Sequence, residues 1–220
     1  MKAVVERDEL LRGINAVLDV VPAKTALPVL SNLLVDATEE EGMRLSATDL
    51  DISIICSVAA SVEGPGATTI PARKFAEIVR ELPEGESLTL GADEGRVTIE
   101  RQWGGQGTYS LMSVPAEDFP ELPQEIAGPE MAFGDGDEVM EGQVLREMIT
   151  KTAFAVSRDE TRPVLNGVLW QIGDGRMTMV ATDGHRLVKY VKSFPDGAAA
   201  LGGLAGEGTE AIVPPRAMNQ

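Results

Sequence analysis

An internal repeat constrains the fold of this sequence more than any other feature. Pro28-Val29-Leu30 returns as Pro163-Val164-Leu165 at an offset of 135, and Ala47-Thr48-Asp49 returns as Ala181-Thr182-Asp183 at an offset of 134. Two further pairs keep the same order, namely Leu10-Leu11-Arg12 with Val144-Leu145-Arg146 (offset 134) and Ile70–Arg73 with Val213–Arg216 (offset 143). Landmarks in one order at nearly constant spacing indicate a duplicated module.

Within the first copy, residues 1–120 predict the order strand, helix and three strands, twice. The first helix is predicted over about residues 9–21, with Asp8 as its N-cap and Pro22 as its stop. The second is predicted from Pro71 to Leu82, because proline is favoured in the first turn of a helix. Strands are expected at 2–5, 29–35, 43–47, 51–60, 68–70, 86–91, 95–102 and 107–114, with a loop at Glu63–Gly66.

These patterns predict an α+β fold made of repeated modules, in which antiparallel strands are covered by pairs of helices. The acid- and proline-rich stretch 115–129 predicts a linker. We therefore expect one complete domain over residues 1–125 and a second over 126–220. The second copy stops near the start of its second helix, at Arg216-Ala217-Met218, so we expect the chain to be part of a longer protein.

Composition excludes several classes of protein. A hydrophobic fraction of 43% with 25% charged residues is typical of a globular chain and not of a disordered one. The single cysteine, Cys56, excludes an internal disulfide framework, and we expect it in the core. The charged N-terminus is unlike a secretory signal, and no apolar run reaches the roughly 18 residues of a membrane span. The sequence predicts a cytoplasmic protein with no membrane partner.

The distribution of charge matters more than its sum. A net charge of −16 opposes binding to phosphate. However, the predicted helices over 8–21, 72–82 and 143–158 carry −2, +1 and +2, which leaves −17 for the remainder. If all the helices faced one way, their near-neutral to basic face would suit weak, non-specific contact with phosphate, although ordinary solvated helix faces explain the same pattern equally well. The cations on or near these helices are Lys24, Arg73, Lys74, Lys151 and Arg158.

Asp183 and His185 raise the question of catalysis. A carboxylate beside an imidazole can be an acid–base pair, so a hydrolase is one alternative. No serine or cysteine lies in a recognisable nucleophile motif, and Asp49 holds the place of Asp183 in the first copy without a histidine. We therefore interpret Asp183 as the cap of a turn. With one histidine and one cysteine, no metal site and no cofactor are predicted, and Met177 and Met179 are assigned to the core.

Several motifs taken together closely resemble the bacterial DNA polymerase III beta subunit family, whose members are sliding clamps. They are Val21–Leu34, Ala47–Leu50, Pro65–Phe75 (PGATTIPARKF), Leu82–Gly85, Leu111–Leu122, Pro163–Gly167 and Ala181–Leu187 (ATDGHRL). The resemblance covers the whole chain. It implies three modules per subunit, with helices on the inner face and antiparallel sheets outside, and a homodimeric ring around duplex DNA. The implied function is that of a processivity factor, a non-catalytic accessory subunit of a DNA-directed DNA polymerase, with the third module missing here.

The resemblance also assigns residues. Lys24 matches a basic residue that touches DNA and Arg73 lies at the entry to an inner helix, whereas Lys74, Lys151 and Arg158 join them by charge alone. A pocket for short peptide motifs is matched by Leu165, Thr182, Gly184, His185, Arg186 and Leu187. Its implied ligands are the polymerase III alpha subunit, the clamp loader, other polymerases and repair proteins.

Two more positions follow from the resemblance. Tyr109 and Leu111 lie on the strand that pairs with a second subunit, whereas Ala153 departs from a polar DNA-contacting residue of some relatives. A peptide-binding scaffold without a DNA role remains a second alternative. We also expect that this chain alone neither closes a ring nor binds motif peptides with full affinity.

Overall fold

The computed structural model describes residues 1–93, 95–101, 107–122, 142–159, 161–173, 175–194 and 209–218. The chain divides into two compact units, Met1–Gln124 and Glu125–Gln220. No helix among the described residues is long and apolar enough to cross a membrane.

The first unit contains two α-helices and a series of short strands. The helices are α1 (Arg7–Leu18) and α2 (Ala72–Glu81). The strands are β1 (Lys2–Glu6), β2 (Asn32–Thr38), β3 (Gly42–Thr48), β4 (Ser53–Val58), β5 (Ala60–Gly64), β6 (Gly66–Pro71), β7 (Ser87–Asp93), β8 (Arg96–Arg101) and β9 (Thr108–Met112). Single 3₁₀ turns occupy Pro28–Ser31 and Ala116–Asp118.

The described strands of this unit form two antiparallel sheets that exchange a strand. One sheet has the order β5-β1-β7-β8-β9 and the other the order β4-β3-β2-β6. Thus β1, which precedes α1, pairs with β7 after α2, and β6, which precedes α2, pairs with β2 after α1. The two halves of the module are therefore interlocked.

One core joins both sheets and both helices. Along α1, Leu10, Ile14 and Val17 are fully buried, and along α2 so are Phe75 and Val79. Side chains alternate between the two faces of a strand, and those on the inward faces pack with these helix residues into one cluster. Each large apolar side chain buried in this way contributes about 1.5–3 kcal/mol of transfer free energy.

The start of α1 differs from the prediction. The helix begins at Arg7 with Glu6 as its N-cap, so the assignment of Asp8 as N-cap is wrong. The cause is tertiary, because the buried Arg7 guanidinium donates to the backbone oxygens of Val79 (3.0 Å) and Arg80 (2.7 Å) at the end of α2. Partly buried contacts of this kind outweigh a local capping preference. The helix also ends at Leu18, before the predicted end at 21.

Two segments predicted as loop or linker take part in the fold. Ala60–Gly64, which includes part of the predicted loop, is β5 and pairs with β1. At the start of the predicted linker, Phe119 is buried. Just before it, Thr69 Oγ1 donates to the Val114 oxygen (2.9 Å) and accepts from its N–H (3.1 Å). Residues 115–122 therefore pack on the first unit, whereas 123–129 lie outside the described residues.

The second unit repeats the order of the first. Its elements are α3 (Gly142–Thr152), β10 (Val168–Gly173), β11 (Arg176–Thr182), β12 (Leu187–Ser193), β13 (Thr209–Val213) and α4 (Pro215–Met218), with 3₁₀ turns at Ala153–Ala155 and Pro163–Leu165. The described strands form an antiparallel sheet of order β12-β11-β10-β13, the counterpart of β4-β3-β2-β6.

Core assignments from the sequence are confirmed in part. Met177 and Met179 are fully buried in the core of the second unit, as predicted. Cys56 packs against the core of the first unit but is only half-buried, because it lies on the edge strand β4. The prediction that Cys56 lies in the core is therefore confirmed only in part.

Candidate peptide and DNA contact sites

The turn between β11 and β12 is fixed by its own side chains. Asp183 Oδ1 accepts hydrogen bonds from the backbone N–H groups of His185 (2.9 Å) and Arg186 (3.0 Å). Thr182 Oγ1 donates to the Arg186 oxygen (2.7 Å) and accepts from the Gly184 N–H (3.1 Å). The interpretation of Asp183 as the cap of a turn is confirmed.

The first copy contains the same turn. Asp49 Oδ1 accepts from the N–H groups of Asp51 (3.1 Å) and Ile52 (2.8 Å). Thr48 Oγ1 donates to the Ile52 oxygen (3.0 Å) and accepts from the Leu50 N–H (3.0 Å). The Thr-Asp pair is therefore a scaffold common to both units, and the residues mounted on it differ.

Gly184 has a conformational reason to be glycine. Its φ is +89°, in the left-handed region that disfavours side chains. The matching residue of the first copy, Leu50, has a φ of +79° and a side chain that is 60% exposed. The turn thus requires a positive φ at this position whichever residue occupies it, and glycine adopts that φ without strain.

Arg186 is held in place by three contacts. Its Nε donates to Asp183 Oδ2 (2.9 Å), its Nη2 donates to the Phe154 oxygen (2.7 Å), and its guanidinium lies 5.3 Å from the centre of the Phe154 ring. The N–H groups of His185 and Arg186 lower the pKa of the Asp183 carboxyl below its ordinary value. Both carboxylate oxygens of Asp183 therefore serve the turn and Arg186, and neither is directed to the imidazole.

The residues predicted for the peptide pocket meet at one end of the sheet. Leu165 ends a 3₁₀ turn just before β10, and its oxygen accepts from the Ser157 N–H (2.8 Å). Because β10 and β11 are antiparallel, the start of β10 lies beside the end of β11, where the Thr182–Leu187 turn begins. Leu165 is half-buried, whereas His185 and Arg186 are exposed and Leu187 is 65% exposed. Leu187 therefore adds exposed apolar surface beside the polar groups at this end of the sheet.

Sequence reasoning missed two apolar residues at this end. Val164 is 70% exposed and Phe154 is 57% exposed. Phe154 and Arg186 also line a cleft of about 710 Å³ that continues along Ala153, Val156, Ser157, Arg158, Asn166, Asp183, Pro215 and Arg216. The sequence carried no signal for either residue, because the exposure of a single apolar side chain depends on neighbours that only the fold brings together.

The glycine of the Pro163–Gly167 motif has a packing role. A Cβ on Gly167 would lie 2.5 Å from Cγ2 of Ile212 and 3.1 Å from the Val213 oxygen. Only glycine allows β13 to approach the start of β10 this closely, so the motif positions Leu165 through its glycine.

The predicted DNA contacts of the first unit divide into two groups. Lys24 is exposed in the turn after α1. Arg73 is exposed at the start of α2 and its Nη2 donates to the Val21 oxygen (3.2 Å), which brings it to the same turn. Lys74, also exposed, pairs with Glu77 at 3.0 Å.

In the second unit, Lys151 lies on the exposed face of α3 and pairs with Glu147 at 2.6 Å. Arg158 is exposed but lies beyond α3, which ends at Thr152, so the predicted helix to residue 158 is too long. Ala153 begins the 3₁₀ turn that follows.

Tyr109 and Leu111 lie on β9, which is an edge strand among the described residues. They face the same side as their partners Ile99 and Val97, both fully buried. Leu111 packs partly on the core, and Tyr109 is 40% exposed. An edge strand whose apolar side chains are still partly exposed can pair with a strand from another chain.

No group of three or more potential metal ligands occurs among the described residues.

Comparisons with known proteins give one consistent result. The profile of the DNA polymerase III beta subunit, N-terminal domain, matches residues 1–123, and that of the central domain matches residues 139–199. The beta sliding clamp of Chlamydia muridarum is 39% identical over 189 residues, which are 86% of this chain and 49% of the relative. The beta sliding clamp of Caulobacter vibrioides is 37% identical over 210 residues, 93% of this chain and 54% of the relative.

Solved structures agree. A sliding clamp from Pseudomonas aeruginosa bound to griselimycin has a TM-score of 0.83 at 29% identity, covering 100% of this chain and 55% of that one. A sliding clamp from Bartonella birtlesii, also bound to griselimycin, has a TM-score of 0.80 at 31% identity, with coverage of 100% and 55%. The chain spans about half the length of these relatives. It belongs to the DNA polymerase III beta subunit family.

Proposed function

We propose that this protein is part of a sliding clamp, a cytoplasmic processivity factor that encircles duplex DNA and tethers the replicative polymerase. The observation that carries the proposal is the superposition of the whole chain on a sliding clamp with a TM-score of 0.83. Residues 1–125 would then correspond to the first clamp domain and residues 126–220 to part of the second, with a third domain outside this sequence.

Enclosure explains how an acidic protein can hold DNA. A closed ring retains DNA by topology, so each contact can be weak, and a net charge of −16 keeps the remaining surface from binding phosphate. The proposed contacts are Lys24, Arg73 and Lys74 in the first unit and Lys151 and Arg158 in the second. Arg73 donates to the oxygen of Val21, three residues before Lys24, which supports a shared role for the two cations.

The turn between β11 and β12 is the proposed docking site for partner proteins. Leu165 and Leu187 supply apolar surface, and the oriented Arg186 with His185 supplies a polar rim beside Thr182 and Gly184. We propose that it takes short peptide motifs of the polymerase III alpha subunit, the clamp loader, other polymerases and repair proteins.

Closure of the ring would use the edge of the first unit. Tyr109 and Leu111 extend the apolar side of the sheet to β9, which is an edge strand among the residues that the structure describes. A strand from a second subunit could continue this sheet, as required for a homodimer of the full-length protein.

The proposed role is non-catalytic. Asp183 uses both carboxylate oxygens in the turn and in its pair with Arg186, so the Asp183–His185 acid–base pair that a hydrolase would need is not formed. The two turns share their Thr-Asp pair, whereas His185 and Arg186 occur only in the second, as expected if these exposed residues recognise a partner protein.

Retention on DNA tests the proposal. The full-length protein, loaded onto nicked circular DNA by a clamp loader, should remain bound through gel filtration and should leave within seconds to minutes when the circle is cut once. A peptide-binding scaffold without a DNA role would show equal retention on circles and linear molecules. That equality would contradict the clamp.

A further inference from the structure

A cluster around Glu147 joins α3 to β12. The ammonium group of Lys151 lies 2.6 Å from Glu147 Oε1, and the Tyr190 hydroxyl donates to the same oxygen at 3.1 Å. The Lys151 ammonium also lies 5.3 Å from the centre of the Tyr190 ring, within the range of a cation–π contact. One carboxylate oxygen thus holds a lysine that the charge pattern assigns to DNA.

The cluster is exposed and has a second cation. Glu147 and Lys151 are four residues apart on the solvent face of α3. Lys192 follows Tyr190 by two positions on β12, so both side chains lie on one face of the strand. Hydrogen bonds from Lys151 and then Tyr190 lower the pKa of the Glu147 carboxyl, and the charge of Lys192 adds to the effect. The ionised form of the Glu147 carboxylate is therefore favoured by both lysines.

We propose that Lys151 and Lys192 form a DNA phosphate contact surface on the second unit, and that Glu147, positioned by Tyr190, weakens this contact by competing with phosphate for Lys151. The inference rests on the proposed clamp function. A carboxylate and a phosphate are both anionic acceptors for the same ammonium group. Because Tyr190 holds Glu147 on the strand side, DNA must displace a fixed acceptor to engage Lys151.

Other proposed DNA contacts differ in this respect. Lys74 has a similar partner in Glu77, three residues away at 3.0 Å, but both side chains are more exposed than those of Lys151 and Glu147. Lys24 and Arg158 make no ion pair with any residue that the structure describes. A clamp that slides needs DNA contacts that break readily, and a competing carboxylate beside Lys151 would provide this.

The test is binding of this 220-residue chain to a 24-base-pair duplex between about 20 and 100 mM salt, followed by NMR chemical shifts so that millimolar affinities are measured. Glu147→Gln should tighten binding about three- to fivefold, since exposed ion pairs of this kind are weak. It should also steepen the dependence of log K on log salt by about 0.9, the value for one additional phosphate contact. Lys151→Ala alone should change affinity less than twofold, and Lys192→Ala should weaken it.

The control separates competition from net charge. Glu39→Gln, in the exposed turn between β2 and β3, removes the same charge and should leave the salt dependence unchanged. The gain from Glu147→Gln should disappear when Lys151→Ala is also present. An equal gain with and without Lys151, or an unchanged salt dependence, would overturn the role of Glu147. Absence of binding by every variant at millimolar protein would contradict the DNA role itself.

Discussion

At the scale of single residues, the two Thr-Asp turns allow a direct comparison of backbone strain. Both hold a residue in the left-handed region, Leu50 at φ +79° and Gly184 at φ +89°, within the same set of hydrogen bonds. A side chain there costs about 1–2 kcal/mol, whereas glycine costs about 0.5–1 kcal/mol through the freedom of the unfolded chain. The strain of a side chain at this φ is therefore slightly larger than the entropic cost of glycine, so glycine gives the more stable turn.

Leu50→Gly is therefore expected to raise the free energy of unfolding by about 0.5 kcal/mol, since the exposed side chain contributes little burial. Gly184→Ala should lower it by about 1 kcal/mol. Urea unfolding followed by circular dichroism measures both. A loss of stability in Leu50→Gly comparable to that of Gly184→Ala would show that the Leu50 side chain makes contacts that offset its strain.

Asp183 makes the same turn dependent on pH. Its folded-state pKa is lowered by the N–H groups of His185 and Arg186, so its ionised form contributes stability that is fully present above its unfolded pKa of about 4. That contribution is lost as the pH falls through the lower folded pKa. Wild type should exceed Asp183→Asn in stability at neutral pH, and the difference should shrink to nothing in acid. A difference that stays constant from pH 7 to pH 2 would contradict this account.

At the scale of elements, the repeat and the order of strands and helices could be read from the sequence because they depend on local periodicity. The strand exchange could not, since β1 and β6 have the same local pattern whichever sheet they join. The exchange is fixed by contacts distant in sequence, such as Arg7 with the end of α2 and Thr69 with Val114. The assignment of Asp8 as N-cap failed for the same reason.

The candidate site was predictable to a similar extent. The turn cap followed from the Asp shared by both copies, His185 and Arg186 were identified by their difference from the first copy, and Leu187 by the family resemblance. Phe154 and Val164 were missed because a single apolar residue gives no signal of exposure before its neighbours are placed. The contact of Tyr190 with Glu147 was equally hidden, because these two residues are 43 positions apart in sequence.

At the scale of the whole molecule, the two units differ in how far their helices are buried. Leu10 and Ile14 of α1 are fully buried between β-sheet and α2. The matching residues of α3 are Val144, which is only half-buried, and Met148, which is fully buried. Less apolar surface is removed from water around α3, so the second unit gains less from the hydrophobic effect.

We therefore expect two unfolding transitions, with the second unit melting at the lower urea concentration. The chain has two tryptophans, and Trp103→Phe leaves Trp170, buried in the core of the second unit, as the only one. In that variant, Trp170 fluorescence should change before most of the circular dichroism is lost. Ile14→Ala should then lower the free energy of unfolding of the first unit by about 2–5 kcal/mol. The later transition should shift to lower urea, and the fluorescence transition of the second unit should stay in place. Coincident curves that move together would mean that the units unfold as one cooperative body, and the difference in helix burial would then have no energetic consequence.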